Sequence, residues 1–231
     1  MTGSYLPIAV TALIGGLLTM DRMAVGQFSL SRPLFAAALL GYVLHCPAEG
    51  AFIGIIYELL FLRSIPAGSF VPFHPLHGSL IAVLLVASSP ALGTGWTTVP
   101  AAVFFSLPAV QVDRFFEILW RRSNDRNLIK ASALVRMSKI RNARGVHILS
   151  ILKAPMFHAC SLLLTGIILS AIFSFTYNRF PNFFTYLSVA GLAPFFTGLA
   201  GVVSGRKFGY GRVGFLSGLL LGALAGSGIL L

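Results

Sequence analysis

Long segments of apolar residues follow one another along this chain of 231 residues. The longest are Thr98–Leu119, Ile148–Thr176 and Phe184–Val203. An α-helix needs about 20 residues to cross a hydrocarbon core of about 30 Å, and these segments are too continuous for the strands of a membrane barrel. Only 10% of the residues are charged, against about 25% in ordinary soluble domains. We therefore expect an all-α, polytopic membrane helical bundle that forms a single membrane domain over residues 1–231.

The N-terminal half, about residues 1–120, differs because most of its apolar segments are too short to span a bilayer. They are Tyr5–Met20, Leu34–Leu44, Glu49–Leu62 and Ser79–Ala87. Such lengths suit re-entrant or broken helices, which are tolerated at membrane depth only where protein or a wet cavity covers their ends. The stretch 63–78 holds three prolines and no charged residue after Arg63, so we expect irregular backbone there. No cleavable signal is expected, because the residues before Pro7 include no basic side chain.

Basic residues concentrate in one part of the chain. Eight of the seventeen Lys and Arg lie in the range Arg121–Arg144, where Asp125 is the only acid. Lys and Arg accumulate in the cytoplasmic loops of membrane proteins, so we expect a basic cytoplasmic loop over about 121–145 and C-terminal helices over about 146–231. A second basic turn, Ser204–Arg212, follows two crossings later on the same side. Topology alone explains this charge, although the loop could also contact anionic lipid or a cytoplasmic protein; no nucleic-acid partner is expected.

The last apolar segment carries a glycine at every fourth position. These are Gly214, Gly218, Gly222 and Gly226. Small residues at that spacing lie on one helix face and let another helix backbone approach closely. The partner helix could belong to this chain or to a second copy, and we expect the protein to be oligomeric. Cys46 and Cys160 have no metal-type spacing, and we interpret both as small apolar side chains rather than as a redox pair.

Motifs of soluble enzymes are absent from the sequence. It contains no Walker loop, no G-x-S-x-G elbow and no zincin motif, so we predict no catalytic residue and no cofactor. His74 and His77 lie three positions apart in the proline-rich stretch. A metal site would need at least one further ligand, and the spacing indicates none. The sequence therefore predicts no metal site.

Glu58 is the most informative polar residue, because it is the only charged side chain in the run AFIGIIYELLFL, Ala51–Leu62. An ionised carboxylate at membrane depth costs roughly 2.5 kcal/mol or more on insertion-derived scales, and such groups usually face a cavity or a partner. Broken helices around buried polar groups are typical of transporter substrate sites. An ion pair with Arg32 or Arg63 that fixes helix packing is the alternative. By contrast, the end of Thr98–Leu119, which carries three charged residues, is expected to project from the lipid.

The region from Ser31 to Leu80 resembles the membrane IIC component of the mannose/fructose/sorbose family of the bacterial sugar phosphotransferase system. That family has an RP(L/I) motif, a short small-and-apolar segment, an apolar run containing LE, and then a loop with glycine and proline. The matching residues here are Arg32, Pro33, Leu34, Gly41, Leu44, Gly50, Glu58, Gly68 and Pro72. An acid upstream in the family fits Asp21, and VHILSI at Val146–Ile151 is similar to the segment after the family's polar loop.

The resemblance implies a sugar permease subunit in the bacterial cytoplasmic (inner) membrane. It implies a partner IID membrane subunit and cytoplasmic IIA and IIB phosphocarrier proteins, which carry the phosphoryl group, so the chain itself needs no phosphoryl-transfer residues. The substrate would be a hexose or an amino sugar. We expect its hydroxyl groups to be bound by Glu58, His74, Gln27, Ser31 and Arg32.

A different class of function is also open. Cys46 and His74 stand near positions where the family carries acids, which favours a non-transporting membrane scaffold or regulatory homologue that kept the fold. The retained Glu58 favours transport instead. A secondary transporter of another family, driven by protons or sodium, is the third alternative.

Overall fold

The structure is a computed structural model that describes residues 5–23, 26–61, 71, 73–89 and 95–184. These ranges contain six α-helices: α1 (Leu6–Met23), α2 (Pro33–Val43), α3 (Pro47–Leu60), α4 (Pro75–Ala87), α5 (Gly95–Arg136) and α6 (Ile140–Arg179). No β-strand occurs in the ranges described, which confirms the predicted all-α class. The predicted crossing after Phe184, the basic turn Ser204–Arg212 and the glycine face of the last segment lie outside the described residues.

Three of the helices are short and begin with proline. Pro33, Pro47 and Pro75 each occupy the first turn of their helix, where the missing N–H is not needed and the fixed φ suits the helix. The short lengths predicted for the second and third segments are confirmed. The expectation of irregular backbone as far as residue 78 is wrong at its end, because α4 begins at Pro75 and therefore includes His77.

Helices α2 and α3 form a hairpin whose backbones are in direct contact. A Cβ atom added to Gly50 would lie 2.6 Å from the carbonyl oxygen of Ala37 and 2.9 Å from Cα of Gly41. A Cβ atom on Gly54 would lie 2.7 Å from the carbonyl oxygen of Pro33. Real Cβ atoms cannot approach backbone this closely, so the hairpin requires glycine at these positions.

Helix α4 lies at the centre of the bundle. Every residue from Leu76 to Val86 is buried, and α4 contacts all five of the other helices that the structure describes. A helix that is apolar on all sides is buried on all sides. The helix therefore places His77, and His74 just before its start, in the interior of the protein.

Helices α5 and α6 form a long antiparallel hairpin. They contain 42 and 40 residues and are joined by a turn at residues 137–139, where Ser138 has a φ of 57°. The predicted basic loop over 121–145 is therefore wrong as a conformation: most of its basic residues lie on two helices. The physical reason is that residues 121–136 contain neither glycine nor proline, and a run of solvated charges does not interrupt a helix.

One helix of those described, α6, is long and apolar enough by length and composition to cross a membrane. Helices α2 and α4 are apolar but shorter than a span. Helix α6 exposes Leu164, Ile168 and Phe175 on its outer side, which is the surface expected of a helix that faces lipid or another membrane protein.

Candidate functional site

Glu58 forms an ion pair with Arg32 across the α2–α3 hairpin. Arg32 Nη1 lies 3.2 Å from Glu58 Oε1. The side chain of Arg32 is 62% exposed, whereas that of Glu58 is 22% exposed. The second carboxylate oxygen, Oε2, is buried and has no hydrogen-bond partner among the residues that the structure describes. The pair therefore consists of an exposed guanidinium group and a carboxylate that can accept a further hydrogen bond.

The close contact of the hairpin backbones brings this pair together. Gly54 packs on Pro33 and Leu34, and Glu58 follows Gly54 by one helical turn on the same face of α3. Arg32 directly precedes Pro33 and is the N-cap residue of α2. The glycine contact thus sets the position of the carboxylate relative to the guanidinium group.

Asp21 at the end of α1 holds the segment that leads into α2. Its carboxylate accepts hydrogen bonds from the backbone N–H groups of Phe28, at 2.6 Å, and Ser31, at 3.1 Å. Gln27 lies in the same segment with a φ of 54° and is exposed. Two of the predicted sugar-binding residues, Gln27 and Ser31, therefore share a short segment with Arg32. Asp21 fixes this segment, although the sequence indicated it only through the family resemblance.

His74 lies apart from Glu58, in a buried group of polar side chains between α4, α5 and α6. Its Nδ1 atom is 2.8 Å from Asp113 Oδ2, and its Nε2 atom contacts Glu117 Oε2. The side chains of these three residues are at most 1% exposed. Asp113 and Glu117, which lie in the charged end of the fifth segment, are buried inside the protein. Both face inward because they lie four residues apart on the side of α5 that packs on the neighbouring helices.

Two more histidines contact the same carboxylate. His77 Nδ1 is 3.1 Å from Asp113 Oδ1, and His158 Nδ1 is 2.7 Å from that oxygen. The rings of His74 and His158 are stacked, with centroids 5.4 Å apart and an angle of 14° between their planes. We call this set the buried His–Asp cluster; its members are His74, His77, Asp113 and His158.

Glu117 connects the buried His–Asp cluster to the edge of the bundle. Its carboxylate contacts Arg121 one turn later on α5, and Arg22 Nη2 of α1 lies 3.6 Å from its Oε2 atom. Glu117 is 1% exposed, whereas the two arginine side chains are 48% and 30% exposed. The polar network therefore runs from the interior of the protein to solvent-accessible guanidinium groups and joins α1 to α5.

The sequence contained a partial signal for this second group. Asp113 and Glu117 have helical spacing, and His158 is a polar residue within a long apolar segment. Nothing in the sequence placed these residues beside His74, because the contacts join segments that are far apart along the chain. Chemically, the Arg32–Glu58 pair can bind hydroxyl groups, whereas the buried His–Asp cluster offers nitrogen and oxygen atoms to a cation or a proton.

Comparisons with known proteins agree with this fold. The family model described as the PTS system sorbose-specific IIC component matches residues 5–204. A solved structure titled "Structure of membrane protein" superposes with a TM-score of 0.67 at 20% sequence identity, covering 98% of this chain and 92% of that chain. At this identity the likeness shows the fold alone. No curated protein matches the chain in sequence.

Proposed function

The chain belongs to the family of sorbose-specific IIC components of the phosphotransferase system, and we propose that it is a sugar permease subunit that forms the translocation path with a IID subunit. The family and the fold make it a membrane protein. We place it, as a multi-pass protein, in the bacterial cytoplasmic membrane. Cytoplasmic IIA and IIB proteins would phosphorylate the sugar during uptake, since the chain has no recognisable phosphoryl-transfer motif of its own.

The observation that carries this proposal is the unpartnered carboxylate oxygen of Glu58. A buried acceptor without a donor is unfavourable, so Glu58 Oε2 needs a donor that the described residues do not supply. A sugar hydroxyl is such a donor, and hydrogen bonds to a carboxylate are stronger than neutral ones. Arg32, at 3.2 Å from the other oxygen, would hold the carboxylate in place and could donate to a second sugar oxygen.

Gln27 and Ser31 would add hydrogen bonds from the segment held by Asp21. Both an amide and a hydroxyl can donate and accept, which suits the ring oxygen and hydroxyl groups of a hexose or an amino sugar. The exposed position of Gln27 leaves its amide free to turn toward a ligand. His74 stays a prediction as a sugar ligand, and its contacts in the structure are with Asp113 and Glu117, apart from Glu58.

The surroundings of Arg32 support a partner subunit at this place. Phe28 is 76% exposed and Leu30 is 49% exposed, and both lie beside the polar residues of the proposed sugar site. Apolar side chains rimmed by polar ones are typical of interaction surfaces. A IID subunit that covers this surface would close the sugar site and remove the apolar side chains from their present exposure.

The test is sugar uptake by Glu58→Gln in cells that also produce the co-encoded IID, IIA and IIB proteins. Gln keeps one acceptor oxygen but loses the charge, and we expect uptake to fall to background while membrane insertion and IID association persist. Glu49→Gln is the matched control, because Glu49 lies in the first turn of the same helix. Normal uptake by Glu58→Gln would exclude the role proposed for Glu58.

A non-transporting scaffold is the second candidate, and the Arg32–Glu58 ion pair is the observation that favours it. In that case the pair only fixes the α2–α3 hairpin. Titration of the purified complex with several hexoses and amino sugars separates the two functions. Saturable binding that Glu58→Gln abolishes supports transport, whereas flat titrations for every sugar, together with reduced thermal stability of Glu58→Gln, support the scaffold.

A further inference from the structure

The buried His–Asp cluster directs the same ring nitrogen of three histidines at one carboxylate. The Nδ1 atoms of His74, His77 and His158 lie 2.8, 3.1 and 2.7 Å from an oxygen of Asp113. One ligand atom each from His74, Asp113 and His158 lies within 4.8 Å of those of the other two. We propose that these three residues bind a divalent transition-metal ion, with Zn²⁺ the expected occupant.

The imidazole nitrogens that face away from Asp113 support this assignment. His74 Nε2 contacts Glu117 Oε2, and His77 Nε2 lies 3.0 Å from Ser161 Oγ. In metal sites the ring nitrogen that does not bind the metal commonly donates to a carboxylate or another acceptor, which fixes the tautomer and the orientation of the ring. Glu117 would therefore hold His74 with Nδ1 deprotonated and directed at the metal.

His158 provides an independent observation. The residue is 0% exposed, and its Nε2 atom has no hydrogen-bond partner among the described residues. Without a metal, hydrogen bonding to Asp113 alone leaves one nitrogen of this buried ring unsatisfied, which is unfavourable. A metal bound at Nε2 would satisfy this nitrogen, while Nδ1–H would still donate to Asp113 Oδ1 at 2.7 Å.

The charges in the interior also favour a bound cation. Asp113 is fully buried, and it is contacted by three imidazoles, which carry no charge when neutral. A buried carboxylate in a membrane protein needs a compensating charge. A divalent ion would compensate the charge of Asp113, whereas Glu117 already has Arg22 and Arg121 as cationic partners at the edge of the bundle.

The ligand types indicate which metal is expected. Imidazole nitrogen suits Zn²⁺, Cu²⁺, Fe²⁺ and Ni²⁺, whereas Mg²⁺ and Ca²⁺ prefer oxygen ligands. Two histidines and one carboxylate form a common three-ligand set for Zn²⁺, which takes a fourth ligand in tetrahedral geometry. His77 Nδ1 is close enough to the Asp113 carboxylate to be that fourth ligand.

This inference goes beyond the proposed function, because it concerns residues on α4, α5 and α6 and does not involve the Arg32–Glu58 pair. His74 precedes α4, Asp113 lies on α5 and His158 lies on α6. A metal bound by all three would connect these segments and stabilise the centre of the bundle. The role is structural, and metal binding is measurable whether or not the chain transports sugar.

The experiment uses the full-length chain, purified in detergent, stripped with EDTA and then titrated with Co²⁺ and Zn²⁺. We expect a visible Co²⁺ ligand-field spectrum of tetrahedral type, stoichiometric binding, displacement of Co²⁺ by Zn²⁺ and a higher unfolding temperature with Zn²⁺ than with EDTA. A protein that shows no ligand-field spectrum and unfolds at the same temperature in Zn²⁺ and in EDTA would overturn the proposal.

Variants locate the metal within the chain. His158→Gln and Asp113→Asn should lose the Co²⁺ spectrum, whereas His147→Gln, on an exposed position of the same helix α6, should keep it. Glu117 contacts His74 but is not a proposed ligand, so Glu117→Gln should weaken Co²⁺ affinity by about tenfold to a hundredfold. Binding that survives in His158→Gln and Asp113→Asn would place the metal elsewhere and contradict the site. If these variants fail to fold, the measurements on the unchanged chain decide the proposal.

Discussion

The Arg32–Glu58 pair and the buried His–Asp cluster are two polar groups in one apolar protein, and they are built in different ways. The first joins consecutive short helices, and its members are 26 residues apart in sequence. The second joins segments that are 45 residues apart for His158 and Asp113. The first depends on backbone contact at glycines, whereas the second is formed by side chains from different helices.

This difference in construction indicates how each group responds to substitution or to a bound partner. Arg32 is largely exposed, so its surroundings can be completed by a ligand or a partner subunit without disturbing the interior. The buried His–Asp cluster lies beside α4, the helix that contacts every other helix described, and a change there affects the packing of the whole bundle. We call the Arg32–Glu58 pair the outer pair and the buried His–Asp cluster the inner cluster. We expect the outer pair to determine sugar binding and the inner cluster to determine the stability of the bundle.

The largest effect is expected from Gly54→Ala, which tests whether backbone contact holds the outer pair. Its new Cβ atom would lie 2.7 Å from the carbonyl oxygen of Pro33 and 2.8 Å from Cα of Leu34. Because these are backbone atoms, the helices must separate, and we expect a loss of about 2–3 kcal/mol of unfolding free energy. Thermal unfolding in detergent measures the loss.

Gly145→Ala is the matched control for this change, because a Cβ placed there has no neighbour within 4 Å apart from the adjoining residues and backbone of its own helix. Alanine at an open helix position should stabilise the protein by about 0.5–1 kcal/mol. Equal stability of the two variants would contradict the hairpin contact. The inner cluster should be unaffected, so Gly54→Ala should keep the Co²⁺ spectrum even as sugar uptake falls.

The outer pair was within reach of sequence reasoning, and the inner cluster was not. Glu58 stood out as a lone charge in an apolar run, and Arg32 was named as one of its two candidate ion-pair partners. Segment lengths also followed from hydropathy, because short apolar runs produced short helices. The convergence of His74, Asp113 and His158 depends on how three helices are rotated and packed, and no local pattern encodes that.

The difference between the predicted loop over 121–145 and the observed helices has a clear physical origin. The basic residues after Arg121 predicted a cytoplasmic loop, because Lys and Arg accumulate on the cytoplasmic side of membrane proteins. Charged side chains do not interrupt the hydrogen-bonded backbone of a helix, so a helix can continue beyond its apolar part. Here α5 continues to Arg136 and α6 begins at Ile140. The positive-inside rule concerns which side of the membrane these residues occupy and makes no statement about their conformation.

A smaller effect is expected from Asp21→Asn, which tests whether the segment before α2 is preorganised. The carboxylate accepts from two backbone N–H groups, and Asn retains only one acceptor oxygen. We expect a loss of about 1–2 kcal/mol in stability, with weaker sugar binding because Gln27 and Ser31 are less fixed. Asp125→Asn, at an exposed position on α5, should change neither quantity. Weakened sugar binding in both variants would point to a general charge effect instead.

The smallest effect is expected from Tyr57→Phe, which tests whether the two polar groups are coupled. Tyr57 precedes Glu58 on α3, and its hydroxyl lies 2.6 Å from Ser106 Oγ on α5, the helix that carries Asp113. The ring is fully buried. Phe removes the contact with Ser106 Oγ and a longer one with the carbonyl oxygen of Val103 at 3.4 Å, but Ser106 Oγ still donates to that carbonyl oxygen at 2.9 Å. We therefore expect a loss of about 1 kcal/mol.

Tyr42→Phe is the control for this change, because Tyr42 is 74% exposed and should show no change in stability. If the outer pair and the buried His–Asp cluster act independently, Tyr57→Phe should leave both sugar affinity and Co²⁺ affinity at their original values. A change in both affinities would contradict that independence. It would show that the contact between Tyr57 and Ser106 transmits the position of α3 to α5, so that a ligand at Glu58 is sensed at Asp113.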